Sequence, residues 1–155
     1  PELVADNYVL AFKQITEIIV KAMSPGINDP GTAINGIDYL TELFALRMHK
    51  KDHVIVKRED THYIKINSVS FRELLYNVMA SIRTYCKHDI ILIQKLLLMF
   101  NYLKRQNINC EDYKAHIDKE VTILLTDAKG AISNKTDWEQ ALNMAKNLSF
   151  DIENF

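Results

Sequence analysis

The feature that most constrains the fold of this chain is a helix-length stretch that is apolar on nearly every side. Residues 90–103 read IILIQKLLLMFNYL, and Gln94 and Lys95 separate the two apolar runs. Together the runs fall well short of the roughly 18 apolar residues that a membrane-spanning helix needs. A helix of this composition has to be surrounded by other elements. We therefore expect residues 90–106 to form the central helix of a bundle.

Five other segments carry apolar residues at steps of three and four, the spacing of amphipathic helices. They cover residues 8–23, 30–49, 71–85, 110–128 and 136–148. Polar residues that can cap a helix N-terminus precede most of them. The expected caps of the six helices are Asp6 or Asn7, Asp29, Ser70, Asp89, Asn109 and Thr136.

Residues 50–67 have a different period. Apolar and polar residues alternate at Val54 and Val56 and again at Ile64 and Ile66. This alternation predicts a β-hairpin in which Val56 pairs with Ile64 and residues 59–61 form the loop. An isolated β-hairpin is only marginally stable in water, so we expect it to pack against the helices. The predicted fold is mainly α: residues 1–155 form a single domain, a bundle of about six helices with one small β-hairpin between helices two and three.

Composition excludes several classes of protein. The 155 residues are 48% hydrophobic, and 19 basic against 20 acidic residues give a net charge of −1. Nucleic-acid binding needs a concentrated positive face, so we expect no nucleic-acid partner. The chain begins at Pro1 without a signal-peptide pattern. We therefore expect a soluble piece of a longer protein.

No residue pattern predicts catalysis or metal binding. The sequence has no nucleophile motif, no zinc-protease motif and no phosphate-binding loop, so we expect a non-enzymatic domain without a cofactor. The histidines lack acidic or cysteine ligands at matching spacing; they are His49, His53, His62, His88 and His116. The acidic residues of helix five read as a solvated face; they are Glu111, Asp112, Asp118 and Glu120. Cys86 and Cys110 read as unpaired thiols in a reducing compartment.

The best candidate for a functional segment is the elbow, which we define as residues 24–32, between the first two helices. It holds two of the three prolines and two of the four glycines. Prolines and glycine fix a tight turn, and an aspartate before a proline starts a helix, which favours a structural role. The helix start also offers free amides to an anion or partner, so a binding role stays open. The candidate residues are Ser24, Pro25, Gly26, Asn28, Asp29, Pro30 and Thr32.

A second candidate is Arg83, which falls on an otherwise apolar helical stripe. A partly buried guanidinium pairs best with a carboxylate. Asp29 and Asp38 are the expected partners, so that Arg83 would lock helix three to the elbow. Asp38 and Tyr85 would then belong to the same buried polar cluster.

The same segments carry a resemblance to a known family. The elbow and the residues after it read SPGINDP, then Thr32-Ala33 and Ile37-Asp38-Tyr39-Leu40; later come Ile82-Arg83-Thr84-Tyr85-Cys86 and Leu96-Leu97. This pattern resembles a bacterial family of predicted membrane proteins called domain of unknown function 2254. The family has a glycine where this chain has Cys86.

The resemblance implies that this domain lies at the C-terminal end of a protein whose N-terminal part spans the membrane. We expect a regulatory or assembly domain on the cytoplasmic side of the inner membrane, with its own transmembrane region as partner and homo-oligomerisation as a further expectation. The alternative is a small-molecule or anion sensor that gates a channel or transporter through the elbow.

Overall fold

The computed structural model describes residues 2–58, 62–67, 69–108, 110–153 and 155. Within them the chain forms six α-helices and two short strands. In chain order these elements are α1 (Glu2–Ala22), α2 (Pro30–Met48), β1 (His53–Arg58), β2 (His62–Asn67), α3 (Phe71–Cys86), α4 (Ile90–Lys104), α5 (Glu111–Lys129) and α6 (Lys135–Asn147). The mainly helical bundle expected from the apolar spacing is therefore confirmed.

The two strands lie side by side between α2 and α3. They are antiparallel, and the register places Val54 opposite Ile66 and Val56 opposite Ile64. The loop expected at residues 59–61 lies outside the described residues. Among the described residues these two strands form one two-stranded sheet.

Three of the expected helix caps are confirmed. The amide of Thr32 donates to Asp29 at the start of α2, and the amide of Glu73 donates to Ser70 at the start of α3; both bonds are 3.1 Å long. Asp89 accepts from the amide of Ile91 at 2.9 Å at the start of α4. In each case a short polar side chain satisfies an amide that the first helical turn leaves free.

The other helix starts differ from the expectation. Helix α1 begins at Glu2, so Asp6 and Asn7 lie inside it and do not cap it. Helix α6 begins at Lys135, and Asn134 caps it by accepting from two backbone amides, which places Thr136 within the first turn. Asn109 lies outside the described residues, and Cys110 stands at the N-cap of α5 without a side-chain hydrogen bond.

Five helices form a closed ring around the core. Contacts join α1 to α2, α2 to α4, α4 to α5, α5 to α3, and α3 back to α1, while α6 packs on α4. A row of rings crosses the interior: Phe12 packs on Phe44 at 4.6 Å between centroids, Phe44 on Phe71 at 6.1 Å, and Phe71 on Tyr113 at 4.5 Å. Aromatic pairs at these distances add to the stabilisation from burial.

Helix α4 is not enclosed on every side. It packs against α2, α5 and α6. Nevertheless Ile91, Leu98 and Tyr102 remain 55%, 46% and 51% exposed. The expectation of a fully surrounded helix is therefore wrong for one face, because no described helix covers that side of α4.

Candidate functional site

The elbow is a compact turn held by backbone hydrogen bonds within it and to the end of α1. The amides of Ile27 and Asn28 both donate to the carbonyl of Ser24, and the amide of Asp29 donates to the carbonyl of Ala22 at 2.7 Å. Asn28 has a positive φ of 50°, a conformation that asparagine tolerates better than most residues. The chain therefore reverses direction within a few residues, and the turn has little conformational freedom.

Asp29 and Thr32 pair with each other. The Thr32 hydroxyl donates to Asp29 at 2.6 Å, and the Thr32 amide donates to the other carboxylate oxygen. These hydrogen bonds hold the pKa of Asp29 below its usual value. The carboxylate thus occupies the N-terminus of α2 as that helix's own anion. At the same time Ile27 is 52% exposed, so the tip of the elbow presents an apolar side chain to the outside.

Arg83 does not reach the elbow. Its Nε donates to Asp127 at 3.1 Å, and its Nη1 donates to Glu120, so both partners come from α5. The expected pairing with Asp29 or Asp38 is wrong. Arg83 and Glu120 are almost completely buried. We call these three residues the ion cluster, and it joins α3 to α5.

The other members of the expected polar cluster lie apart from Arg83. Asp38 forms an ion pair with Lys95 of α4 at 2.6 Å, and its side chain is more than half exposed. Tyr85 is also exposed. The cluster predicted from Asp38, Arg83 and Tyr85 is therefore not present. Arg83 lies over the ring of Tyr76 at 6.0 Å instead.

Glu120 of the ion cluster lines a groove between α3 and α5. The groove has a volume of about 460 Å³ and is lined by residues that include Arg72, Tyr76, His116, Lys119 and Glu120. Burial raises the pKa of Glu120, although the charge of Arg83 opposes that shift. The interpretation of Glu120 as part of a solvated acidic face is wrong, since it points between the two helices.

A second polar arrangement joins the segments on either side of β1 and β2. Arg47 donates to Asp52 at 2.5 Å and to the carbonyls of Lys50 and Val69, each at 2.9 Å. The Tyr113 hydroxyl and the Phe71 amide also donate to Asp52, at 2.9 and 3.0 Å. We call Arg47, Asp52 and Tyr113 the junction network. It ties α2, the start of α3 and α5 together.

Burial disfavours the charged form of Asp52, but the hydrogen bonds that it accepts favour that form more strongly. Donation from Arg47, Phe71 and Tyr113 leaves the pKa of Asp52 below its usual value. Burial also raises the pKa of Tyr113 and keeps its hydroxyl protonated as a donor. The junction network is therefore a fully paired structural joint. Among the described residues no buried side-chain nitrogen or oxygen lacks a hydrogen bond.

The described groups were also compared with the requirements of a metal site and of a reactive thiol. Within the described part of the chain no three histidine, cysteine or acidic side chains are grouped to hold a metal ion. Both cysteines are free, and burial raises the pKa of Cys86 to about 12, which makes its thiol a weak nucleophile. Cys86 ends α3 and is not among the described residues with positive φ, so a cysteine here, where the resemblance implies a glycine, causes no backbone strain.

Sequence reasoning missed the residues that form the two buried polar arrangements. Glu120 and Asp127 are seven residues apart and so share one face of α5, but Glu111 and Asp118 have the same spacing, so the spacing alone does not identify the buried pair. Nothing local to Asp52 or Tyr113 indicates that they meet Arg47. Those contacts arise only from how the helices assemble.

Comparison with known proteins places the chain in a family. None of the helices in the described residues is long and apolar enough to cross a membrane. Searches of curated proteins and of solved structures gave no significant match. The sequence model of a family described as predicted membrane protein (DUF2254) matches residues 2–102, which include the elbow, the junction of α2 and α3, and nearly all of α4. Since this match covers more than half of the chain, the protein belongs to the DUF2254 family of predicted membrane proteins.

Proposed function

We propose that this chain is a non-enzymatic assembly domain of a multi-span bacterial inner-membrane protein, and that the elbow docks on the membrane-spanning part of that protein. The observation that carries the proposal is the contrast between the hydrogen-bonded polar groups of the elbow and its exposed apolar side chain. The backbone of the elbow is hydrogen-bonded to itself and to the end of α1, and Asp29 is bonded to Thr32, whereas the side chain of Ile27 stays exposed. A rigid turn with an apolar tip loses little conformational entropy when it binds.

We infer that the domain lies on the cytoplasmic side of the membrane. Two free cysteines in one chain support this placement, because an oxidising compartment favours disulfides. The membership in a family of predicted membrane proteins supports attachment to a membrane.

The alternative function is a sensor that binds a small molecule or anion at the elbow and gates a channel or transporter. A binding pocket there would need Asn28, Thr32 and Arg83 to converge on a ligand. Arg83 is engaged by Glu120 and Asp127, and Asp29 already occupies the helix terminus, so the geometry favours docking over sensing.

Photo-crosslinking in the full-length membrane protein tests the proposal. The photoreactive residue benzoylphenylalanine replaces Ile27 in one variant and Ile18 in a matched control, since these side chains are 52% and 51% exposed. We expect the residue at position 27, and not that at position 18, to form crosslinks to the membrane-spanning part, identified by mass spectrometry. Equal crosslinking from both positions, or none from position 27, would reject docking through the elbow.

A thermal-shift screen of metabolites on the same protein tests the sensor alternative. A ligand that raises the melting temperature of the wild type, and whose effect disappears in Asn28→Ala, would favour sensing. Asn35→Ala is the matched control, because Asn35 is an exposed asparagine outside the elbow.

A further inference from the structure

The groove between α3 and α5 contains a carboxylate oxygen to which no described group donates. Arg83 donates to Oε2 of Glu120, whereas Oε1 has no hydrogen bond within the described part of the chain. The Glu120 side chain is only 6% exposed, and it lines the groove. Every fully buried side-chain oxygen of the described residues is hydrogen-bonded, so Oε1 must be open to the groove. An acceptor in this position is a place for the donor group of a ligand.

The groups around Oε1 favour an ammonium ion as that donor. Arg83 is bonded to both Glu120 and Asp127, so one positive charge serves two carboxylates. Arg83 also lies over the ring of Tyr76, which places this ring near Glu120. Tyr76 is 52% exposed and lines the same groove, and the face of an aromatic ring attracts a cation. Glu73 adds an exposed carboxylate that has no ion pair with any described residue.

One turn closer to the helix N-termini, the groove has groups that suit a carboxylate. Arg72 lies one turn before Tyr76 on α3, about 6 Å away at 1.5 Å per residue. It is exposed and forms no ion pair with the described residues, and a guanidinium binds a carboxylate through two parallel hydrogen bonds. His116 lies one turn before Glu120 on α5 and also lines the groove. Lys119 adds a second exposed cation, and its charge opposes the burial that raises the pKa of Glu120.

We propose that the groove between α3 and α5 binds a free amino acid with an apolar side chain. Its ammonium group donates to Oε1 of Glu120, and its carboxylate pairs with Arg72. Its side chain lies on Leu75, which is fully buried, and on Ile123, which is partly buried. The groove has a volume of about 460 Å³, within the roughly 300–1,000 Å³ of small-molecule sites. This inference goes beyond the assembly role proposed above and concerns a different surface.

The charges that line the groove favour a zwitterion over a simple ion. A ligand with only a negative charge would face the carboxylates of Glu73 and Glu120. A ligand with only a positive charge would face Arg72 and Lys119. A ligand with both charges, a few ångströms apart, pairs with groups of both signs.

Isothermal titration calorimetry of the 155-residue chain with L-leucine at neutral pH tests the proposal. Two analogues keep the apolar part of leucine but lack one charged group. They are 4-methylpentanoate, which has no ammonium group, and 3-methylbutylamine, which has no carboxylate. Hydrogen bonds to charged groups contribute about 1.5–3 kcal/mol, so each analogue should bind at least about tenfold more weakly than leucine.

Two variants test the choice of groove. Glu120→Gln keeps the shape of the side chain and removes its charge, so leucine should bind at least about tenfold more weakly. Asp118→Asn is the matched control, since it makes the same kind of change at an exposed position of α5. Arg72→Ala should weaken binding of leucine but not of 3-methylbutylamine, and Arg105→Ala, at another exposed arginine, should change neither. Circular dichroism checks the fold, and Arg72→Ala alone decides if Glu120→Gln does not fold.

The possible outcomes separate this inference from the proposed function. A wild type that does not bind leucine overturns it, as do analogues that bind as tightly as leucine. Binding that survives both Glu120→Gln and Arg72→Ala overturns the choice of groove. Binding that is weakened in those variants and kept in their controls supports the inference, even when crosslinking from Ile27 rejects docking through the elbow.

Discussion

Arg83 depends on two carboxylates that differ in exposure. Glu120 is buried with it, whereas Asp127 lies closer to solvent. Removing one partner of a buried ion pair costs about 3–5 kcal/mol, and the cost here lies at the lower end because Asp127 still pairs with Arg83. We therefore expect Glu120→Ala to lower the free energy of unfolding by about 3 kcal/mol.

Urea denaturation measures this change, and the same helix offers a control. Asp118 pairs with Lys104 at 2.6 Å in an exposed position. Surface ion pairs contribute about 0–1 kcal/mol, so Asp118→Ala should have a small effect. Equal effects of the two variants would contradict a buried role for Glu120.

Asp52 makes part of the stability dependent on pH. Its pKa in the folded chain lies below the ordinary value of 3.8, because donation from Arg47, Phe71 and Tyr113 outweighs its burial. The ionised carboxylate therefore favours the folded state above pH about 3.8, and the contribution is lost as the pH falls through the folded-state pKa.

Asp52→Asn removes this dependence. The difference in unfolding free energy between wild type and Asp52→Asn should be largest near neutral pH and should shrink as the pH falls from about 5 to about 3. Chemical denaturation at several pH values measures it. A difference that stays constant over this range would show that the charge of Asp52 does not contribute to stability.

Among the elements, local rules predicted some helix starts and failed at others. Asp29, Ser70 and Asp89 cap their helices as expected, since a cap depends only on residues within one turn. At α6 both Asn134 and Thr136 are residues that can cap a helix N-terminus. Asn134 accepts from the amides of Thr136 and Asp137 and so starts the helix before Thr136 can cap it.

The crossing of α1 and α2 depends on Gly36. A Cβ atom at this position would lie 2.5 Å from Cγ1 of Ile19, which is fully buried and close to its own backbone. Overpacking costs about 1–3 kcal/mol, which exceeds the gain of up to about 1 kcal/mol that alanine offers in a helix. Gly36→Ala should therefore destabilise the chain in thermal unfolding, against ordinary helix propensity.

Gly130 provides the comparison for Gly36. It follows α5 with an ordinary φ of −81°, and a Cβ there meets nothing closer than 3.9 Å. Gly130→Ala should leave the melting temperature unchanged or raise it slightly. If Gly36→Ala unfolded at the same temperature as the wild type, α1 and α2 would have to move apart at little cost in free energy.

The N-terminus of α2 is held by the side chain of Asp29. Asp29→Ala removes both bonds to Thr32 and should lower the unfolding midpoint, because α2 then loses its N-cap. Asn is an equally good cap, so Asp29→Asn should retain most of the stability. Equilibrium unfolding of the two variants measures the cap. Full stability of Asp29→Ala would leave the aspartate without a structural role.

For the whole molecule, the apolar stripes predicted which residues are buried but not which helices meet. The ring order α1–α2–α4–α5–α3 follows from tertiary packing. That order brings Arg83 to Glu120 and Asp127 rather than to Asp29 or Asp38. It also leaves one face of α4 uncovered, although its composition indicated burial on every side. Sequence periodicity describes one helix at a time, so it could not predict which of several acidic residues pairs with Arg83.

The cooperativity of the whole core can be measured at Cys86. Its thiol is fully buried and its pKa is raised to about 12, whereas Cys110 is only partly buried. A thiol reagent such as dithionitrobenzoate should therefore modify about one cysteine per folded chain and two in denaturant.

Cys110→Ser should remove the reaction of the folded state. Labelling of Cys86 should then occur only at the rate at which the whole domain opens, and its slope with urea should match that of global unfolding. Fast labelling that does not depend on urea would instead mean that α3 separates locally from the ring.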